Sequence, residues 1–187
     1  MRIITGSARG TKLFTLEGEA TRPTSERVKE AVFSMIQFEI EGRSVLDPFG
    51  GSGQLALEAL SRGAAFASVS DSSRAAVAII EKNAAKTHFD DGRCEISCCD
   101  CSEALRRAER SGKKFDIVFL DPPYRAGLLL PTLSKLGKLL KPTSTVICES
   151  GEPIADRLPA GFEVIKEAKY GVAYVTLLRH AKEETKE

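Results

Sequence analysis

From Gly42 onward, short apolar runs alternate with longer stretches whose apolar positions recur every three or four residues. The runs SVLDPF, FASVSD, RCEISCCD, FDIVFLD and STVICES predict strands. Between them LALEALSRG (ending at Gly63), SRAAVAIIEKNAAKTH, SEALRRAER and GLLLPTLSKLGKLL predict helices, the last with Pro131 near its first turn. Repeated strand–helix units require a parallel sheet covered on both faces, and short apolar strands suit its interior. FEVIKEAKY and VAYVTLLRH, joined around Gly171, predict an antiparallel pair at the end. Before Gly42 the pattern differs. RIITG and KLFTL, linked by SARGT, predict a hairpin, and EGEA a loop. TRPTSERVKEAVFSMIQF predicts a helix capped by Thr24 or Ser25, with Val28, Val32, Phe33, Met35 and Ile36 on one face.

Composition narrows the class without naming an activity. A chain of 187 residues with 42% hydrophobic and 28% charged positions suits one domain with a sizeable core. No apolar stretch is long enough to span a bilayer, and Met1 leads straight into RIITGSARG, so a cytoplasmic protein is expected. A net charge of +1 announces no polyanionic partner, but Arg2, Arg9 and Lys12 stand in residues 1–12 with no acid. The tail KEETKE reads as a solvated end. Four of the five cysteines cluster in CEISCCDC (Cys94, Cys98, Cys99 and Cys101) without two separated CxxC pairs. They are expected to be free thiols packed as small hydrophobes, with no metal.

Ligands of such sheets bind beyond the carboxyl ends of the strands, so the site is collected from those ends. The first strand ends in DPFGGSG, where Gly51 and Gly53 permit a tight turn and close approach of a ligand to backbone. The second ends at Asp71, 18 residues past Gly53, near the spacing at which a carboxylate takes ribose hydroxyls. The third ends at Asp100 and the fourth at Asp121. One Asp after a strand is ordinarily a turn or a helix cap, and one GxG pair is a weak signal. Four successive strands ending in Asp, with glycines after the first, point to a nucleoside-type cofactor.

A dinucleotide would seat its pyrophosphate at the helix N-terminus, where Asp47 is unwelcome. A cationic ligand suits that carboxylate better. S-adenosylmethionine carries a sulfonium and an amino group; Asp71 would take its ribose and Asp100 its adenine. DPPY, residues Asp121, Pro122, Pro123 and Tyr124, supplies the other half of the site. An exocyclic amino nitrogen on a base is a poor nucleophile until it pyramidalises. Accepting hydrogen bonds from its N–H groups favours that change. Asp121 can accept one and the Pro122 carbonyl another, the prolines holding that carbonyl rigidly. Tyr124 offers a face for stacking. The residues leave open guanine N2, adenine N6 or a protein amide as the target. They also leave open a nicotinamide oxidoreductase, which shares the glycine turn, and a non-catalytic assembly factor. His88 and His180 receive no role.

DPFGGSG followed by DPPY resembles the S-adenosylmethionine-dependent amino methyltransferases. RIITGSARGTKL, TRPTSERVKEAVF and DPFGGSGQLALEALSRGA resemble the RsmD family in particular, over about residues 2–178. The resemblance implies a Rossmann-like class I methyltransferase of α/β class. It implies a mostly parallel seven-stranded sheet with a C-terminal antiparallel hairpin, plus a small N-terminal hairpin and helix extension. The expected division is residues 1–40 as the extension, 41–180 as the methyltransferase domain and 181–187 as the tail. It implies methylation of a guanine N2 in bacterial small-subunit (16S) rRNA, free or in a 30S particle, by a monomer. Asp47, Gly51 and Gly53 would bind the methionine side of the cofactor, and Arg9, Lys12, Arg22 and Arg27 would contact rRNA or edge the pocket. Two departures stand out. Gly50 replaces the family's commoner Ala, a change expected to be harmless, and Ser70-Asp71-Ser72-Ser73 replaces Val-Glu-x-Asp.

Overall fold

Strand β4 (Phe115–Leu120, FDIVFL) is buried at every position, as a central strand covered on both faces must be. Around it, a computed structural model describes residues 1–16 and 26–181. The elements run α1 (Glu26–Met35), β1 (Ser44–Asp47), α2 (Gln54–Ser61), β2 (Phe66–Asp71), α3 (Arg74–Thr87), β3 (Cys94–Cys98), α4 (Cys101–Arg110), β4, α5 (Leu129–Leu133), β5 (Leu140–Ser150), β6 (Phe162–Tyr170) and β7 (Ala173–His180). The sheet order is β3-β2-β1-β4-β5-β7-β6. The first five strands are parallel, and β7 returns antiparallel between β5 and β6. Chain order reverses between β1 and β4, which places a ligand crevice at their carboxyl ends. The predicted cap at Thr24 or Ser25, the EGEA loop, Arg22 and the KEETKE tail lie outside the described residues.

Side chains alternate across the pleat, so the sheet separates two cores. Val45, Ile117, Phe119, Ile147 and Val175 pack with α1, α2 and α3 on one face. Leu46, Val118, Leu120, Val146 and Cys148 pack with Leu105 of α4 and Leu133 of α5 on the other. Ile3 and Leu13 of the N-terminal segment belong to the first core.

The N-terminal hairpin pairs through one bridge, Arg2 with Lys12. Just beyond that bridge, Glu58 of α2 takes the neighbouring donors. The Ile4 and Thr5 N–H groups donate to its carboxylate at 2.7 and 3.0 Å. Lys29 of α1 and Arg62 complete the partners of this fully buried carboxylate at 3.3 and 2.9 Å. Removing one member of a buried pair costs about 3–5 kcal/mol, so the cluster ties segment 1–16 and α1 to α2. Gly6 makes the approach possible: a Cβ there would lie 1.7 Å from the Ser61 carbonyl oxygen.

The stretch GLLLPTLSKLGKLL is not one helix. Its i→i−4 bonds end with Ser134 N–H to Leu130 O, and the next two amides bond only three residues back. Ser134 Oγ also donates to the Pro131 carbonyl, and a 3₁₀ turn follows at Gly137–Leu139. The local competition of a hydroxyl with the ladder, followed by glycine, shortens α5.

Candidate active site

The glycine turn after β1 is held from two sides. Gly51 N–H donates to Asp71 Oδ2 at 2.9 Å, and Gly50 N–H to the Ser70 carbonyl at 2.8 Å. Asp71 Oδ1 also accepts from Ser73 N–H at 2.8 Å. The predicted ribose carboxylate therefore shapes the turn itself, with two of its roughly four lone-pair positions used. Ser73, which stands where the family motif has its second acid, caps α3 by accepting from Ala76 N–H. Gly51 and Gly53 have φ of 55° and 77°, and a Cβ at Gly51 would meet nothing within 4 Å. That side of Gly51 is open space into which a ligand could fit against backbone. Gly50 is less neutral than its motif suggests, since a Cβ there would lie 2.6 Å from Val69 Cγ1 and 2.9 Å from Ile80 Cδ1. Those side-chain ends occupy the space an alanine would need.

Asp47 is 1% exposed. Burial pushes its carboxyl up to about 7; the charge of Asp71 adds to the rise, and Phe49 N–H, donating at 3.3 Å, opposes it. A buried carboxylate balanced near neutrality is primed for a cation. Gln54 opens α2 after the glycine turn, and its buried Oε1 has no hydrogen-bond partner among the described residues. An orphaned acceptor, an acid and an open glycine at one strand end fit a cationic nucleoside.

Asp100 caps α4 by accepting from Glu103 N–H at 2.9 Å and is exposed. Asp121 directly follows β4, with Pro122 buried and Pro123 exposed. The Pro123 carbonyl accepts from Ala126 N–H at 2.9 Å, closing a 3₁₀ turn at Tyr124–Ala126. The Tyr124 ring lies against Gly151, where a Cβ would come within 3.1 Å of Cδ2, and its hydroxyl donates to Glu149 Oε1 at 2.6 Å.

Glu149 stands beside Asp121, and the sequence reading did not single it out. The fifth strand ends in an acid as the preceding four do. Register pairs Leu120 with Cys148, so Asp121 and Glu149 are the next positions on adjacent strands. By alternation Asp47, Asp121 and Glu149 share the face of Val45, Phe119 and Ile147. Register sets Asp47 level with Phe119, two residues short of Asp121, so Asp121 and Glu149 stand side by side on strands about 4.8 Å apart, with Asp47 one pleat repeat below.

The basic candidates are less gathered. Arg9, Lys12 and Arg27 are exposed. The segment runs along α2, with Met1 Sδ accepting from Ser52 Oγ in the glycine turn and Ser7 N–H donating to the Ser61 carbonyl at the far end. The Ser7 anchor, two residues before Arg9, therefore lies about 12 Å from the glycine turn, the length of α2. Asn83 of α3 joins the other strand of the hairpin to the turn. Its Nδ2 donates to the carbonyls of Phe14 and Ser52 at 3.0 and 2.9 Å.

Burial pushes Cys94 up to about 12 and raises Cys148 as well. Among the described residues, no group of three His, Cys, Asp or Glu is placed to hold a metal ion.

A parallel sheet that reverses order at a glycine turn and ends in an antiparallel β7 is the fold of the class I methyltransferases. Within that class, the chain belongs to the family described as Conserved hypothetical protein 95, the RsmD family, whose model it matches over residues 1–179. It is 35% identical to Ribosomal RNA small subunit methyltransferase D of Escherichia coli, over 99% of this chain and 93% of that protein. The same enzyme name is carried by a Haemophilus influenzae relative at 31% identity, over 96% of this chain and 94% of that one. The solved structure of yhhF from Escherichia coli superimposes with a TM-score of 0.81 at 34% identity, covering 97% of this chain and 98% of that chain.

Proposed function

We propose that this protein transfers a methyl group from S-adenosylmethionine to the exocyclic N2 of a guanine in bacterial small-subunit (16S) rRNA, free or in an assembling 30S particle. The observation that carries the reading is the pairing of a cation-ready glycine turn (Asp47, Gly51, Gly53, Gln54) with Asp121-Pro122-Pro123-Tyr124 across the β1–β4 switch point. The names of the relatives supply the rRNA.

Asp47, Gly51 and Gly53 hold the methionine side of the cofactor, Asp71 the ribose and Asp100 the adenine. S-adenosylmethionine brings a methyl group already activated by its sulfonium. The protein's task is placement. Asp121 accepts one N–H of the target amino group and the Pro122 carbonyl the other, drawing the nitrogen lone pair out of ring conjugation and toward the methyl carbon. As the new C–N bond forms, the C–S electron pair returns to sulfur. The nitrogen becomes cationic, and its proton leaves to Asp121 or to water. Tyr124 stacks the base. The division into an rRNA-contacting extension (1–40) and a methyltransferase domain (41–180) belongs to the same proposal. So does the monomer.

Labelled-methyl transfer to unmodified small-subunit particles, followed by nucleoside analysis, tests the reading. N2-methylguanosine is expected; N6-methyladenosine would overturn the base assignment. Asp121→Ala should lower kcat by about 100-fold or more while S-adenosylmethionine binding by calorimetry stays near wild type. Wild-type turnover in that variant would remove Asp121 from the mechanism.

A further inference from the structure

We propose that Glu149 is the residue that selects guanine over adenine, by accepting the N1–H of the target base. This rests on the guanine-N2 reading above and deepens it. Asp121 and the Pro122 carbonyl recognise an amino group, and both adenine and guanine carry one. Neither acceptor distinguishes the ring atom beside it. In guanine the atom next to the 2-amino carbon on the Watson–Crick edge is N1, which bears a hydrogen. In adenine the ring N1 beside the amino-bearing carbon is a bare acceptor.

Glu149 is placed to read that difference. It stands one strand over from Asp121, at the neighbouring carboxyl end and on the same sheet face. Its residue is 8% exposed, so its position is fixed by packing. The Tyr124 hydroxyl donates to Oε1 at 2.6 Å, linking the carboxylate to the ring on which the base stacks. That bond makes Oε1 an acceptor, and in its ionised form the carboxylate accepts at both oxygens. Against guanine it completes a pair of carboxylates facing N1–H and N2–H. Against adenine it meets a lone pair with no hydrogen between them. Sites built to hydrogen-bond a particular donor reject an analogue that presents a lone pair in its place.

The distinguishing probe is 2-aminopurine, which keeps the 2-amino group but has a bare N1. Small-subunit RNA carrying guanine or 2-aminopurine at the target position would be compared by kcat/KM. Wild type should favour guanine by about 10- to 100-fold. Glu149→Gln can turn its amide nitrogen toward a bare N1. The ratio should therefore fall to within a few-fold of one, mainly through loss on guanine, with S-adenosylmethionine affinity unchanged. Equal use of the two bases by wild type overturns the assignment without any variant. So does an equal loss on both bases in Glu149→Gln, which would mark a purely structural role for the Tyr124 bond. If the wild-type product is not N2-methylguanosine, the underlying reading fails and the selection with it. N2-methylguanosine with an unaltered ratio removes Glu149 alone.

Discussion

On the proposed reading, Asp47 trades stability for binding. Its carboxyl titrates near 7 in the folded protein instead of 3.8. Between those values the folded state holds a proton that the unfolded chain has released, so stability falls as pH rises through that window. Above about 7 the whole cost is present, on the order of 4 kcal/mol. Asp47→Asn removes the charge. Its melting temperature should exceed that of wild type by about 5 °C or more near pH 8, while the two should melt close together near pH 4. The same variant should bind S-adenosylmethionine more weakly. Wild-type affinity for that cation should rise with pH through about 7, as the carboxylate forms. A lower melting temperature for Asp47→Asn near pH 8 would contradict this account. Asp47 and Asp121 were legible in the sequence because each ends an apolar run and is followed at once by proline. Glu149 carried the same strand-end signal without the proline. Its partner Tyr124 lies 25 residues away, beyond the reach of any local pattern.

At the scale of elements, periodicity located the strands and most helices, since one buried face per element leaves its mark every two or three to four residues. It failed where a side chain competes with backbone. Ser134 Oγ bonds the Pro131 carbonyl where α5 ends short, and no local pattern foretold that Glu58 takes the Ile4 and Thr5 amides beside the hairpin. Nor could it show that the hairpin is fastened to the glycine turn. Asn83 makes that connection across separations of 69 and 31 residues. Its side chain is fully buried and donates to two carbonyls while accepting Phe14 N–H at 2.7 Å. Asn83→Ala leaves those groups unpaired, at about 1–3 kcal/mol. Thermal unfolding should therefore drop by several degrees. Because the Ser52 carbonyl belongs to the turn, S-adenosylmethionine affinity should weaken as well. A destabilised variant with wild-type cofactor affinity would show that the fastening is structural alone.

Taken whole, the molecule has a net charge of +1, so attraction to a polyanion must come from where its cations stand. The described candidates, Arg9, Lys12 and Arg27, lie on the N-terminal segment and the first turn of α1. These elements pack on the sheet face that also carries Asp47, Asp121 and Glu149. On the proposed reading these cations contact RNA phosphates, and such contacts fix register and orientation and leave the chemistry to the pocket. Replacing Arg9, Lys12 and Arg27 together by Ala should therefore weaken binding to small-subunit rRNA and flatten its salt dependence. The slope of log K against log salt should shrink by about 0.7–0.9 for each phosphate that the variant no longer neutralises. Filter binding across a salt series measures that slope. At saturating substrate, kcat should change by less than about threefold, since no reacting group has moved. An unchanged slope would place the RNA on another surface. A collapse of kcat at saturation would mean that these cations reach the pocket after all, through a movement of the segment that Asn83 and Glu58 now hold in place.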